Sequence, residues 1–278
     1  MDIEGKVQAV TGGTSGMGLS LAAALGKFGP VLIGGRNEKR LEGAIDVLQK
    51  LGVDAHGAQC DISDIDSVKS FRKAALEIGE VGNVVNAAGV DFDTASIEQI
   101  ININMKGVVN VTETFFPDMD ESVMVHFSSM TGYFYAPEQR DIDVWNDATA
   151  ADFPEASRRA IEEGNHPQPD FLDPRYTYYA ASKRFVMYYV MANVSRFGAK
   201  KSRIFSVAPG SFDTPMLRGG NNDLDRIAQG TAFKRFGSPT EMTDLIIKLM
   251  EPGHDYFTGV DVIMDGGKYA MSMAKQII

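Results

Sequence analysis

The stretch Thr11-Gly12-Gly13-Thr14-Ser15-Gly16-Met17-Gly18 decides the fold, because it joins a short apolar run to a helical pattern near the start of the chain. Glycine is needed where a backbone turns sharply and comes close to a phosphate, and the next helix presents free N–H groups and the positive end of its dipole. Between a strand and a helix, such a loop predicts a nucleotide site; the alternative is a flexible turn that happens to be rich in glycine. The residues expected to contact the nucleotide here are Gly12, Thr14, Ser15, Gly16, Met17 and Gly18.

Short apolar runs alternate with amphipathic, helix-length stretches along most of the chain. The pattern predicts strands at Val7–Thr11, Val31–Gly34, Ala55–Gln59, Asn83–Asn86, Val123–Phe127, Arg203–Val207 and Val260–Met264. It predicts helices near Gly18–Phe28, Glu38–Leu51, Ile65–Ile78, Ile97–Phe116, Tyr178–Phe197 and Glu241–Met250. This alternation indicates an α/β fold with a doubly wound, Rossmann-like parallel sheet of seven strands. Ligands of such sheets bind outside the carboxyl ends of the strands, where the motifs described here lie.

One segment, residues 133–175, lacks the alternation of strand and helix. Its middle, Asp152–Gly164, predicts a short helix with Asp152 as the cap and Pro154 in the first turn. A free-standing second domain needs a larger core than about forty residues provide. We therefore expect a single domain over residues 1–278, with residues 133–175 as an insertion that covers the substrate or alters the oligomer surface.

The composition narrows the class of protein. The chain has 278 residues, a net charge of −10 and one cysteine, Cys60. The negative charge disfavours nucleic-acid binding and docking on anionic membranes. The N-terminus lacks the pattern of a secretory signal, and no stretch approaches the ~18 apolar residues of a membrane helix, so a cytoplasmic location is expected. Without a Cys-x-x-Cys pair, no metal site is expected.

The spacing Thr-Gly-x-x-x-Gly-x-Gly in the opening loop resembles the short-chain dehydrogenase/reductase family. The resemblance continues after the third, fourth and sixth strands and at the C-terminal strand, with Asp61-Ile62, Asn86-Ala87-Ala88-Gly89, Pro209-Gly210-Ser211-Phe212-Asp213-Thr214, Thr258-Gly259 and Asp265-Gly266-Gly267. It implies a nicotinamide dinucleotide, with the acid Asp61 and Ile62 near the adenine and with Asn86, Ala87, Ala88 and Gly89 also binding the cofactor. It also implies that Pro209, Gly210, Phe212 and Thr214 lie beside the nicotinamide.

The end of the second strand predicts which nicotinamide cofactor is used. An NAD enzyme usually has an acid there to hold the ribose hydroxyls, but this chain has Gly35 followed by Arg36. A guanidinium pairs well with a 2′-phosphate. We therefore expect NADP(H) to be preferred and keep NAD(H) as the alternative; Arg36 as a merely exposed arginine is the competing interpretation.

Tyr179 and Lys183 form the predicted catalytic pair. Residues four apart share a face of a helix, and of the nine tyrosines only Tyr179 has a lysine four positions later. A phenol with a pKa of about 10 is a poor acid and base at neutral pH, and a cation beside it favours the phenolate. The pair matches the family's Tyr-x-x-x-Lys motif, which implies that both residues also contact the cofactor.

Two further catalytic residues follow from the resemblance. Ser129 stands three residues before Gly132, as the family's substrate-binding serine does, and Ser128 is then expected to make a structural hydrogen bond at the strand end. Asn104, with Gly107, matches an Asn-x-x-Gly motif whose asparagine is thought to hold a water that links the lysine to solvent. The alternative for Asn104 is a polar helix residue bonded to backbone.

The insertion leads to a hypothesis about the substrate. It contains ten acidic residues against four arginines, and aromatic residues at Tyr133, Phe134, Tyr135, Trp145, Phe153 and Phe171. Aromatic rings beside the catalytic groups favour a bulky apolar carbonyl or alcohol, and the acidity disfavours acyl carrier protein and coenzyme A. The insertion and the C-terminus resemble the bacterial 3α-hydroxysteroid dehydrogenase/carbonyl reductase group, which implies a hydroxysteroid or bile acid.

Other functions stay open from the sequence. One is a carbonyl reductase of smaller ketones and aldehydes, and another is a 3-oxoacyl thioester reductase. A nucleotide-sensing regulator without enzymatic activity is a third, although such proteins commonly lose the Tyr–Lys pair. The resemblance also implies a homo-oligomer, a dimer or a tetramer, that uses a different pairing surface from most of the family.

Overall fold

Seven strands form one parallel sheet. They are β1 (Val7–Thr11), β2 (Val31–Gly35), β3 (Ala55–Gln59), β4 (Val81–Asn86), β5 (Val123–Phe127), β6 (Arg203–Pro209) and β7 (Asp261–Met264), in the order β3-β2-β1-β4-β5-β6-β7. The computed structural model describes residues 4–166, 173–219 and 223–277. The predicted seven-stranded, doubly wound sheet is confirmed, and each predicted strand overlaps an observed one.

Helices cover both faces of this sheet. They are α1 (Gly16–Leu25), α2 (Glu38–Lys50), α3 (Ile65–Ile78), α4 (Ile97–Ile101), α5 (Gly107–Phe115), α6 (Gln139–Asn146), α7 (Phe153–Glu163), α8 (Arg175–Ala199), α9 (Pro215–Arg218), α10 (Leu224–Gln229), α11 (Pro239–Met250) and α12 (Lys268–Ile277). No helix in the described part of the chain is both long enough and apolar enough to cross a membrane.

The core lies in two layers because successive side chains of a strand point to opposite faces. Ala9 of β1 packs in a cluster with Phe71 of α3 and Phe115 of α5. Val10, the next residue, packs in the other cluster with Leu21 of α1 and Met242 of α11. Because helices pack on both faces of the sheet, a ligand reaches the sheet at the ends of its strands.

The order of the strands reverses between β1 and β4, and the crevice for a ligand lies at such a switch point. The loops that follow the two strands meet there, and the backbone N–H of Ala87 donates to the carbonyl oxygen of Thr11 at 3.1 Å. The first helix begins directly after the glycine-rich loop. The fold therefore brings the motifs of the sequence to one edge of the sheet.

Several elements differ from the predicted pattern, and the short helices α9 and α10 were not among the predicted ones. The helix expected over Ile97–Phe116 contains a π-helical turn at Asn102–Lys106, which separates α4 from α5. The last helix, α12, has no counterpart in the predicted elements. The insertion holds α6 as well as the predicted helix, which is α7 with Asp152 as its N-cap. Part of the insertion, residues 167–172 with Phe171, lies outside the described residues.

Candidate active site

The loop between β1 and α1 is shaped by two glycines. Gly12 has φ +69° and Gly16 has φ +55°, in the left-handed region that side chains disfavour. A Cβ atom on Gly12 would lie 2.6 Å from the backbone nitrogen of Ala88 and 2.7 Å from its Cα atom. The loop therefore lies directly against the backbone after β4, and only glycine fits at position 12.

A cavity of about 300 Å³ opens along this loop. Ser15 caps α1 from the backbone, and within the described chain its side chain makes no cap hydrogen bond, which leaves N–H groups of the first turn for a ligand. The donors and the close glycine backbone fit the pyrophosphate of a dinucleotide. The predicted residues that line this cavity are Gly12, Thr14, Ser15, Gly16, Met17, Gly18, Arg36, Asp61, Ile62, Ala87, Ala88, Gly89 and Thr214.

One end of the cavity, where the ribose is predicted to lie, follows β2. Arg36 lines it from the loop before α2, and Arg40 lines it from the first turn of α2. Both side chains are exposed, and within residues 4–166, 173–219 and 223–277 neither forms an ion pair. Asn37 caps α2, because its Oδ1 accepts from the backbone N–H of Arg40 at 2.9 Å. The cap fixes the start of the helix, so two guanidinium groups flank the same opening.

Asp61 and Asn86 differ in how they relate to this cavity. Asp61 lines it, with Oδ1 accepting from the backbone N–H of Ser63. Asn86 is buried and is absent from the cavity wall. Its Oδ1 accepts from the hydroxyl of Thr11 at 2.6 Å, and its Nδ2 lies 3.4 Å from Nδ1 of His126. The side chain of Asn86 thus ties three neighbouring strands together, while its contact with the cofactor stays a prediction.

A second cavity, of about 430 Å³, adjoins the first, and Met17, Ala87, Gly89 and Thr214 line both. Ser129, Tyr179 and Lys183 lie together on its wall, as do Pro209, Gly210 and Phe212. Ser129 follows β5, whereas Tyr179 and Lys183 lie one turn apart on α8. The structure therefore brings the predicted serine, phenol and ammonium to the place where the two cavities meet.

Lys183 is hydrogen-bonded to the sheet. Its Nζ donates to the backbone carbonyl oxygen of Phe127 at 3.1 Å and lies 5.7 Å from the centre of the Tyr179 ring. The side chain is only 6% exposed. Burial lowers the pKa of Lys183 to about 8, and the charge of Asp261 acts in the opposite direction. The ammonium is therefore close to its titration range at physiological pH.

The expected lowering of the Tyr179 pKa is not found. Burial raises the pKa of Tyr179 to about 12, because it disfavours the phenolate, while a hydrogen bond with Ser129 acts the other way. Lys183 donates to a backbone carbonyl oxygen, and its ammonium is itself destabilised by burial. By itself the chain therefore keeps the phenol protonated, which suits a group that donates a proton to a ketone oxygen.

Asp261 is a site residue that the sequence did not reveal. It begins β7, and its Oδ1 accepts from the hydroxyl of Ser128 at 2.6 Å and from that of Ser206. Its Oδ2 accepts from the hydroxyl of Tyr133 at 2.9 Å. Ser128 and Tyr133 flank Ser129, so the carboxylate holds both ends of the segment that carries it. The structural hydrogen bond expected for Ser128 is present.

Asn104 lies in the π-helical turn, and its side chain forms hydrogen bonds with the backbone. Its Oδ1 accepts from the N–H of Val90 and its Nδ2 donates to the carbonyl oxygen of Val90, both at 2.9 Å. A Cβ atom on Gly89 would lie 3.2 Å from Asn104 Oδ1 and 3.4 Å from Lys183 Nζ. Asn104 thus lies near the lysine and fixes the loop after β4, while its role in a proton relay stays a prediction.

The insertion does not form the substrate wall in the way expected. Among its aromatic residues in the described part of the chain, only Phe134 lines the second cavity. Tyr135, Trp145 and Phe153 are buried instead, in a cluster with Phe185 of α8. The amphipathic helices α6 and α7 turn their apolar faces inward onto α8, so their rings form a core. Within the described residues, the prediction that these rings surround the substrate is wrong for Tyr133, Tyr135, Trp145 and Phe153, which do not line this cavity.

Other elements supply most of the substrate wall. They contribute Asp91, Phe92, Asp93, Met130, Tyr176, Met216, Leu217, Ile227, Lys268 and Ser272. Most follow strand ends or lie in short helices without a recognisable spacing, so the sequence alone carried no signal for them. Arg40, which lines the first cavity, is an exception, because a second arginine four residues after Arg36 was a visible sign of positive charge beside Gly35.

Family models match most of the chain. A model described as short chain dehydrogenase matches residues 6–140, and one described as enoyl-(acyl carrier protein) reductase matches residues 171–268. The residues between the two matches, 141–170, lie within the insertion.

Curated relatives align over nearly their full length. A 3-oxoacyl-[acyl-carrier-protein] reductase of Thermotoga maritima is 26% identical, over 96% of this chain and 99% of the relative. An acetoacetyl-CoA reductase of Cupriavidus necator is 25% identical, over 94% and 97%. A sorbose reductase of Schizosaccharomyces pombe is 26% identical, over 95% and 96%. These relatives differ in the substrates that their names give.

Solved structures share the fold. A variant of actinorhodin polyketide ketoreductase with NADPH is similar at a TM-score of 0.74 and 22% identity, covering 95% of this chain and 97% of that one. A dehydrogenase/reductase from Sinorhizobium meliloti gives a TM-score of 0.75 at 19% identity, with 96% of each chain covered. The family matches and a dinucleotide cavity that opens onto a serine, a tyrosine and a lysine lead to one conclusion: this chain belongs to the short-chain dehydrogenase/reductase family, as an oxidoreductase of alcohol and ketone groups with a nicotinamide cofactor.

Proposed function

We propose that the chain is an NADP(H)-dependent oxidoreductase of bulky apolar ketones and secondary alcohols, with hydroxysteroids as the substrate class. The observation that carries the proposal is the second cavity, which places apolar side chains around Ser129, Tyr179 and Lys183. Its volume of about 430 Å³ is in the range of sites for small organic ligands. The ring of Phe92 packs at a tilt against that of Tyr179, with centroids 5.6 Å apart.

In the proposed reaction, the cofactor supplies or accepts the hydride at the carbonyl carbon. Ser129 and Tyr179 hold the carbonyl oxygen by hydrogen bonds, which polarises the bond and orients it. Tyr179 donates a proton to that oxygen during reduction and accepts it during oxidation. Lys183 lies behind the phenol and favours the charge that forms on it when the proton leaves.

The preference for NADP(H) rests on the ribose end of the first cavity. Arg36 and Arg40 bring two cations to it, and Gly35 stands where an acid would repel a phosphate. The substitution Arg36→Ala combined with Arg40→Ala should weaken NADPH binding by about a hundredfold or more and leave NADH binding nearly unchanged, because charge-assisted hydrogen bonds contribute about 1.5–3 kcal/mol each. Comparable kcat/KM values for NADPH and NADH in the unchanged protein would contradict the proposal.

A substrate panel tests the steroid class. The values of kcat/KM are compared for a 3-oxosteroid, for acetoacetyl-CoA and for a simple ketone such as cyclohexanone, each with NADPH. We expect the steroid to be reduced most efficiently. A steroid that is reduced no better than cyclohexanone refutes the steroid class while leaving the ketone reductase intact.

The second candidate is a reductase of 3-oxoacyl thioesters. It is favoured by the relatives from Thermotoga maritima and Cupriavidus necator, whose names give such substrates. The acidic insertion opposes it. A thioester carrier has several negative charges, which the ten acidic residues of the insertion and the chain's net charge of −10 would repel. A higher kcat/KM for acetoacetyl-CoA than for the steroid would establish this candidate.

We also propose a homo-oligomer in which the insertion has replaced one pairing surface. Trp145 and Phe153 of the insertion pack against α8 and against Met105 and Val108, and so cover a face that α4, α5 and α8 would otherwise expose. Light scattering during gel filtration is expected to give the mass of a dimer or tetramer. A monomer at all concentrations would contradict the proposal.

A further inference from the structure

The C-terminal helix places a cation in the substrate cavity. Lys268 opens α12, Ser272 lies one turn later on the same face, and both line the cavity that holds Tyr179. The helix is fixed at this place, because the ring of Tyr269 packs on those of Tyr133 and Phe134 at centroid distances of 5.0 and 5.5 Å. The ammonium and the hydroxyl therefore both belong to the wall of the cavity that holds Tyr179.

Lys268 forms no ion pair within the described part of the chain, although the charge of Asp265 acts on it. Asp265 is the acid closest in sequence, but its two oxygens accept from the backbone N–H groups of Gly267 at 2.9 Å and Tyr269 at 2.6 Å. No carboxylate in the described part of the chain lies within ion-pair distance of Lys268. Burial lowers the pKa of Lys268, with the charge of Asp265 acting in the other direction. An anion beside the ammonium would remove this cost.

The cavity carries the opposite charge at its other end. Asp91 and Asp93 follow β4, whereas Lys268 follows β7, and β5 and β6 lie between these strands. With about 4.8 Å between neighbouring strands, β4 and β7 themselves lie on the order of 14 Å apart. Ser129 follows β5 and lies between them. Arg175 interacts with Asp91 and Asp93 and offsets part of their charge, so an anionic group on a substrate is favoured at the Lys268 end.

We propose that Lys268 and Ser272 bind a carboxylate on the substrate, so that the preferred compounds are ketones or secondary alcohols with an apolar body and a carboxylate at the end remote from Asp91 and Asp93. The proposal rests on the proposed function, because it takes this cavity as the substrate site. The mostly apolar wall favours an apolar substrate, and Lys268 with Ser272 would add a preference for a negative charge on it.

Equilibrium binding tests the proposal without turnover. Ketones are titrated by calorimetry into the protein saturated with the oxidised cofactor, which cannot reduce them. The probes are dehydrolithocholic acid with its methyl ester, and acetylbenzoic acid with its methyl ester. The variants are Lys268→Met, Lys268→Arg and Ser272→Ala, and Lys73→Met on the exposed face of α3 is the matched control.

Each acid is expected to bind about ten- to hundredfold more tightly than its ester. Lys268→Met should abolish this difference, Lys268→Arg should keep most of it, Ser272→Ala should reduce it, and Lys73→Met should leave it unchanged. Equal binding of acid and ester to the unchanged protein overturns the proposal, as does a difference that survives Lys268→Met. Failure of both acids to bind overturns it as well. The comparison of acid with ester needs no variant, so a variant that misfolds does not prevent the test.

The outcome separates this inference from the proposed steroid function. If acetylbenzoic acid shows the preference while both steroids fail to bind, the steroid class is refuted and the carboxylate site stands. If dehydrolithocholic acid and its methyl ester bind equally and are reduced equally by NADPH, the steroid function stands and the carboxylate site is refuted.

Discussion

Gly12→Ala tests the close contact on which the nucleotide site depends. The change adds a methyl group at φ +69°, which costs about 1–2 kcal/mol for an L residue in this region. The methyl carbon would also lie 2.6 Å from the Ala88 nitrogen, so the loop must move, and forced overpacking costs about 1–3 kcal/mol more. We therefore expect the free energy of unfolding to fall by about 2–5 kcal/mol.

Gly52→Ala is the matched control for this prediction. Gly52 has φ +81° but no atom within 4 Å of an added Cβ, so only the conformational cost of about 1–2 kcal/mol applies. Urea unfolding measures both variants, and a fluorescence titration measures NADPH affinity. Gly12→Ala should also weaken NADPH binding by about tenfold or more, since the displaced loop loses hydrogen bonds to phosphate. A Gly12→Ala protein that is as stable as Gly52→Ala and binds NADPH normally would refute the reasoning.

Three further predictions concern charge and packing. Burial lowers the Lys183 pKa from 10.5 to about 8, and at about 1.4 kcal/mol per pH unit the buried ammonium costs about 3 kcal/mol below pH 8. Lys183→Met should therefore stabilise the fold in urea unfolding at pH 7 while abolishing activity, and the gain should fade as the pH rises toward 10.5; destabilisation would contradict this. Asp261→Asn should move the alkaline loss of reductase activity to lower pH, because the charge of Asp261 raises the Lys183 pKa, whereas Tyr133→Phe, which keeps the carboxylate, should not; a pH–rate profile in which both variants behave alike would refute the electrostatic role. Phe153→Ala should lower the free energy of unfolding by about 3–5 kcal/mol with little change in KM, whereas Phe134→Ala should raise KM with little change in stability. The reverse pattern would show that Phe153, and not Phe134, contacts the substrate.

The sheet and the cofactor site could be predicted because each rests on a short local pattern. The glycine loop, Gly35 with Arg36, and the pair Tyr179 and Lys183 are all recognised from neighbours within one turn or one loop. The carboxyl ends of parallel strands meet at one edge, so local motifs were enough to assemble most of the site. Asn86 shows what such motifs leave out. The motif alone does not reveal that the Asn86 side chain bonds to residues of the neighbouring strands.

The substrate wall and the electrostatics could not be predicted, because they depend on contacts between distant segments. Asp261 lies 133 positions from Ser128, and nothing near either residue indicates the hydrogen bond between them. The insertion aromatics were assigned to the substrate because Tyr179 lies close in sequence, whereas α8 offered Trp145 and Phe153 a larger apolar surface. The Tyr179 pKa required knowledge of burial, which raises it.

Reduction of a ketone by Tyr179→Phe tests the central claim most directly. The hydroxyl that protonates the substrate oxygen is removed and the ring is kept, so kcat should fall by about 10²–10⁴-fold or more while NADPH affinity and stability stay nearly unchanged. Tyr176→Phe, on the same cavity wall, should keep kcat within a few fold. Single-turnover oxidation of NADPH, followed by its absorbance, gives the answer. A Tyr179→Phe protein that reduces the ketone at the normal rate would show that another group protonates the substrate.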